Sequence, residues 1–163
     1  MIGVATNKQA AEAFWRFSLM VYGRPGVAAA LIGLQDRGGH NVNLILFGLW
    51  LAVARGRRLD AEGLTRARAA VESLDRDVVQ PLRNLRRVLK NDPDPDIQAL
   101  RKRVLTLEVA AERRIQARLA ACVIGRATKG GRAALAEANL RLVLGVDFAS
   151  PEGEALSEAL AGL

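Results

Sequence analysis

VNLILFGLWLAVA, Val42 to Ala54, is the stretch whose reading decides the fold. It is entered through RGGHN at Arg37 to Asn41 and closed by RGRR at Arg55 to Arg58. At 13 residues it is too short to cross a bilayer, where roughly 20 are needed. Leu44, Phe47, Leu51 and Ala54 fall on one helical stripe, and Ile45, Leu49 and Val53 on a neighbouring one. A helix apolar nearly all round belongs at the centre of its domain. Asn41 stands where an N-cap is needed, and Gly56 terminates the run. Gly48 permits a close helix crossing, at about 1 kcal/mol of intrinsic helix stability relative to Ala.

Working outward, the flanks read as amphipathic helices around that axis. Toward the amino terminus a helix is expected from a cap at Thr6 or Asn7 to Tyr22, with a wide apolar sector in FWRFSLMVY. Gly23-Arg24-Pro25-Gly26 breaks it. Pro25 suits the first position of a second helix, which Gly38-Gly39 ends. Downstream, Asp60 caps a helix that continues to Pro81, where a kink or break is expected near Val79. Val78, Leu82, Leu85 and Leu89 then repeat at helical spacing. NDPDPD at Asn91 to Asp96 cannot stay helical, and Asp96 can cap a long helix from Ile97 to about Gly125. Its seam is Ile97, Leu100, Val104, Leu107, Ala111, Ile115, Leu119 and Cys122, which predicts an antiparallel hairpin with coiled-coil-like packing. Thr128 to Gly131 reads as a turn, and Arg132 to Leu144 as a helix stopped by Gly145. After Ser150-Pro151, a last helix places Leu156, Leu160 and Leu163 on one side. No strand is expected.

Half of the 163 residues are apolar and 4% aromatic, dominated by Ala and Leu, which favours helix and suffices for one core. The net charge of +7 is unevenly placed: residues 55–90 carry +5 and 101–132 carry +7, against −3 for 91–100 and −4 for 133–163. Such a field attracts anionic partners; an arginine-rich solvating surface is the plainer account. One cysteine, Cys122, excludes an internal disulfide and is expected as a small buried hydrophobe. The opening residues lack the pattern of a signal peptide, so a cytoplasmic protein is expected. The fold class is therefore all-α: a single bundle of about seven helices over residues 1–163, with a long antiparallel hairpin at about 78–124.

FWRFSLMVYGRPGVAAALIGLQDRGGHNVNLILFGLWLA, residues 14–52, resembles the opening of a bacterial family of uncharacterised short helical proteins. The matching elements are Phe14-Trp15 with Phe17-Ser18, Tyr22 with Arg24-Pro25-Gly26-Val27, Leu34-Gln35-Asp36, and Val42-Asn43-Leu44 with Phe47, Leu49 and Trp50. VVQPLRNLRRVLK and the later LRKRV…LE…AAER are similar too, so the resemblance covers most of the chain. Asn41 stands where the family usually has Asp, and Leu74 near where it has Trp. The first change keeps a capping group and loses a carboxylate, which weighs against catalysis there. The resemblance implies the helical fold and brings no reaction, cofactor or ligand with it.

Two functional expectations follow. The first is a non-enzymatic interaction protein whose basic helical surface docks an acidic protein partner or nucleic acid. That surface comprises Arg83, Arg86, Arg87, Lys90, Arg101, Lys102 and Arg103. No aromatic interleaves with these cations and no helix-turn-helix spacing is present, which favours the protein partner over nucleic acid. The second is a small-molecule site or enzyme built on Trp15, Tyr22, Arg24, Gln35, Asp36, His40 and Asn43, at the amino-terminal end of the 42–54 helix. Against it stands a capping role for the same residues, with Arg24 and Asp36 as an internal ion pair. The acidic last helix can complement the basic middle of the chain, within one molecule or between two, so a homo-oligomer is a further expectation; attachment to a membrane surface is the least expected. One histidine cannot build a histidine metal site or a serine triad, and TKGGR lacks the strand a phosphate loop needs. No catalytic residue, cofactor or metal is assigned.

Overall fold

The computed structural model describes residues 2–122 and 124–162, residues 2–6 by their backbone alone. Among them, α1 (Ile2–Tyr22), α2 (Val27–Gly38) and α3 (Val42–Val53) lead into α4 (Ala61–Leu74), α5 (Gln80–Val88), α6 (Pro95–Ala121), α7 (Arg132–Leu144) and α8 (Pro151–Ala159). A π-helical turn, Asp75–Val79, carries α4 directly into α5. The chain is an all-α bundle with α3 as its axis: ten of the twelve residues of α3, Asn43 to Ala52, are buried. α7 lies along α3, and α1, α2 and α6 close around it, with α8 covering α2. Phe14 of α1 stacks on Trp50 at 5.1 Å and tilts against Phe47 at 5.8 Å. At Gly48 a Cβ would stand 3.4 Å from Val143 Cγ2 and 3.9 Å from the Asn139 carbonyl oxygen, so α7 packs close against α3 here. No single helix among the described residues is long and apolar enough to cross a membrane.

Most caps lie where the sequence places them. Asn41 Oδ1 accepts from the Asn43 and Leu44 amides, Asp60 Oδ1 from Gly63, and Ser150 Oγ from Gly153. Other expectations are corrected. α1 already runs from Ile2, so neither Thr6 nor Asn7 starts it. Pro25 stays in the turn, because α2 begins at Val27 behind Gly26 in the left-handed region at φ 81°. Asp94, not Asp96, caps α6: its Oδ1 accepts from the Asp96 amide, with Pro95 at the first helical position. α6 ends at Ala121, which leaves Cys122 half-buried at its end, its thiol on the Arg118 carbonyl at 3.3 Å. Two strands of two residues each appear after all, β1 (Arg57–Arg58) pairing antiparallel with β2 (Arg126–Ala127). Leu156 and Leu160 are buried as expected; Leu163 lies outside the described residues.

Pro81 does not break the helix. The Gln80 amide reaches back five residues to the Asp75 carbonyl, and the wider turn makes room for the ring that follows. The hairpin seam also differs from the expected one. Val104, Ile115 and Leu119 are buried, whereas Leu85, Leu100 and Leu107 face outward. α6 gives its apolar inner edge to α1 and α3, and meets α5 through Glu108 and Glu112 instead.

α8 sits hard against the 3-10 turn Gly145–Ala149. A Cβ on Gly153 would collide with the Asp147 carbonyl and stand 2.5 Å from the Phe148 carbonyl oxygen, backbone that cannot swing aside. Gly153→Ala is therefore expected to lower stability by about 1–3 kcal/mol, read as a lower urea midpoint at unchanged slope.

Candidate functional site

The α2–α3 corner opens into a cleft of about 260 Å³. α2 supplies Gln35 and Asp36, the corner supplies His40 and Asn41, and α3 opens with Asn43. The opposite wall is Asp75 from the π turn with Gln80, Arg83, Asn84 and Arg87 from α5. The π turn is what brings Asp75 and Gln80 together, with Gln80 Nε2 donating to Asp75 Oδ2 at 2.7 Å. Five residues apart, they would diverge by about 140° around an ordinary helix.

Asn43 is the buried polar group of the cleft. It is 6% exposed, and its Oδ1 accepts from Gln116 Nε2 at 2.9 Å. Gln116 Oε1 in turn accepts from Ser18 Oγ at 3.2 Å, so a buried chain through α1 and α6 sets the orientation of the Asn43 amide. With the oxygen engaged, the Asn43 NH2 is the group left to the cleft.

Around it the charges are balanced and paired. Arg87 Nη2 donates to Asp36 Oδ1, and Gln35 Nε2 reaches the same oxygen at 3.3 Å. What burial there is pushes the Asp36 carboxyl up, but the Gln35 and Arg87 hydrogen bonds and the Arg87 charge outweigh it and hold the group below the usual carboxylate range. Arg83 Nε and Nη2 donate to Glu108 and Glu112 at 3.1 and 2.8 Å, and Arg86 Nε meets Glu108 at 2.5 Å. His40 Nε2 lies 2.7 Å from Asp147 Oδ2, tying the corner to the turn before α8.

The two sets of candidate residues thus meet in part. Gln35, Asp36, His40 and Asn43 line the cleft, and Arg83 and Arg87 form its far wall. Arg86 is turned to Glu108; Arg101 is half-buried; Lys90, Lys102 and Arg103 are exposed. Trp15 is elsewhere, beneath the Arg113 guanidinium at 5.0 Å, in a groove between α1 and α6. Arg24 does not pair with Asp36. Its Nε donates to the Ala159 carbonyl at 2.9 Å and caps the end of α8. Tyr22 is outside the cleft lining, its phenol pushed up by burial and by the Glu112 charge. Asp75, Gln80 and Asn84 belong to the site unannounced by any motif. Among the described residues no cluster of His, Cys, Asp and Glu is arranged to hold a metal ion.

Fold and cleft define an all-helical bundle with a polar, charge-balanced opening at the amino-terminal rim of its buried helix. The chain belongs to the DUF2390 family, described as proteins of unknown function, whose family model matches residues 13–119. That span holds every residue lining the cleft and ends before α7 and α8. No curated protein and no solved structure matches the chain.

Proposed function

We propose that this is a cytoplasmic binding protein for a small zwitterionic molecule of amino-acid size, held in the cleft at the rim of α3. The observation that carries the reading is the Asn43 amide, buried, pre-oriented through Gln116 and Ser18, and turned into a cavity with two arginines and two aspartates on its walls. At about 260 Å³ the cavity is below the usual range for drug-sized ligands, which suits a molecule of about ten heavy atoms. Both signs of charge are on offer. The Asp36–Arg87 pair has side chains 41% and 48% exposed, and exposed pairs contribute at most about 1 kcal/mol. A ligand carboxylate on Arg87 and an ammonium on Asp36 or Asp75 would replace it at little loss. The groups of the lining that could act as nucleophiles, Asp36, Asp75 and His40, are each hydrogen-bonded to a neighbour, Arg87, Gln80 and Asp147, which favours binding over nucleophilic catalysis. The docking reading, by contrast, loses Arg83 and Arg86 to Glu108 and Glu112.

The test is an NMR titration with free amino acids, neutral monosaccharides and inorganic phosphate. A zwitterion is expected to shift the Asn43 side-chain amide saturably, and Arg87→Ala to weaken that binding about tenfold or more, the loss of one charge-assisted hydrogen bond. If no amino acid shifts the Asn43 amide, or Arg87→Ala binds as well as the native chain, the reading is wrong.

A further inference from the structure

The α5–α6 hairpin is built inside out. Its inner face is the Arg83–Arg86–Glu108–Glu112 network, and the apolar residues that should join the two helices stand outside. Val88 is 79% exposed and Leu107 58%, with Val78, Leu85 and Leu100 also outward. Val78, Pro81, Leu82, Leu85 and Leu107 line an open groove of about 470 Å³ between the helices. Rows at this spacing are completed by a second row of the same kind.

We propose that this face is a two-fold interface with a second copy of this chain, the two hairpins lying antiparallel. The charges along α6 select that occupant. Asp96 and Arg118 each stand eleven residues from Leu107, on opposite sides of it. Eleven residues are three helical turns and about 16 Å, so Asp96, Leu107 and Arg118 share one face. A two-fold axis through Leu107 sets Asp96 of each copy opposite Arg118 of the other, so the match is made twice. Parallel packing would oppose like charges. Both side chains are exposed, and neither joins an ion pair among the described residues. Leu100, seven residues from the axis, falls opposite Arg114, whose aliphatic stem can cover it. The face runs about 33 Å along α6 and is two helices wide where the nine residues of α5 lie beside it, about 13 Å.

Sedimentation equilibrium of the full chain tests this. The native protein is expected to be a dimer. Leu107→Glu changes an exposed residue, so it should keep the helical signal and melting profile while raising the dimer dissociation constant at least about tenfold. Asp96→Arg should weaken the dimer, and Asp96→Arg with Arg118→Asp should restore it. A native chain that stays monomeric at high concentration would assign the face to another partner and overturn the proposal. So would a dimer indifferent to Leu107→Glu, or a charge swap that fails to restore. None of these outcomes bears on ligand binding in the cleft, which lies across the ionic network from this face.

Discussion

Glu108→Gln is expected to melt on the order of 10 °C below the native chain, a loss of about 3–5 kcal/mol. The Glu108 side chain is 5% exposed and receives three guanidinium N–H donors, at 3.1 Å from Arg83 and at 2.5 and 3.2 Å from Arg86. Glutamine has the same shape but only one acceptor oxygen, and its NH2 would point donors at donors. Arg83, 13% exposed, keeps Glu112; Arg86, 25% exposed, loses its carboxylate outright. Partial access to water at Arg86 places the effect at the lower end of that range. The loss measures the orphaning of the arginines, not the net value of the network. Replacing Arg83, Arg86 and Glu108 together by Met, Met and Leu should therefore recover most of it. Calorimetry decides: a single variant that melts with the native chain, or a triple variant worse than the single, would contradict the account.

The same network fixes the sign of the acid response. Burial pushes the Glu108 carboxyl up, but the hydrogen bonds and charges of Arg86 and Arg83 overcome it and hold its pKa below the ordinary glutamate value. The unfolded chain then binds the proton that the folded chain refuses. Glu108 contributes stability above the ordinary glutamate pKa of about 4.3, and this is lost as pH falls through its lowered folded value. Glu112 runs the other way: burial outweighs Arg83 and raises its pKa, so its contribution is present at low pH and lost as pH rises through that raised value. In urea titrations across the acid range, Glu112→Gln should therefore show a steeper loss of stability on acidification than the native chain.

How legible was all this in the residues? The axis was legible, because an apolar run capped by Asn41 and relieved by Gly48 has one sensible place in a helical domain. The starts of α3, α4 and α8 and both ends of α7 were legible for the same local reasons. The hairpin seam was not. Period alone put Leu85 and Leu107 inside, yet α6 must also serve α1 and α3, and its Ile115 and Leu119 join their core. Arg83 and Arg86 looked like a surface because their partners, Glu108 and Glu112, lie more than twenty residues away across a turn. In the cleft, the rim at Asp36 to Asn43 could be read from capping residues gathered beside a buried helix. The far wall could not, since Asp75 and Gln80 share a face only on a π turn, and Pro81 announces a disturbance without saying which kind.

Asn139 was invisible for a related reason: in LAEANLRLVL it looks like a polar residue on the outside of α7. It is 0% exposed. Its Nδ2 donates to the Gly48 carbonyl at 2.9 Å and to the Arg57 carbonyl at 3.1 Å, and its Oδ1 accepts from the Leu59 amide at 2.8 Å. One carboxamide thus fastens the link after α3 to α7. Asn139→Leu is expected to cost about 2–6 kcal/mol. The Arg57 carbonyl and Leu59 amide would each lose a partner, at about 1–3 kcal/mol apiece, while Gly48 keeps its helical bond. Hydrogen exchange at the Leu59 amide should accelerate more than global unfolding explains, because that amide is released locally. Asn139→Asp separates packing from hydrogen bonding. It keeps the volume and the acceptor for Leu59, but it sets a carboxylate against the Gly48 and Arg57 carbonyls in a site closed to water. It should be the worse variant at neutral pH and should improve as the solution is acidified, since the protonated acid can donate to one of those carbonyls. A urea midpoint for Asn139→Asp that does not move with pH would mean that water reaches the residue, and that the link between α3 and α7 is held by packing rather than by this side chain.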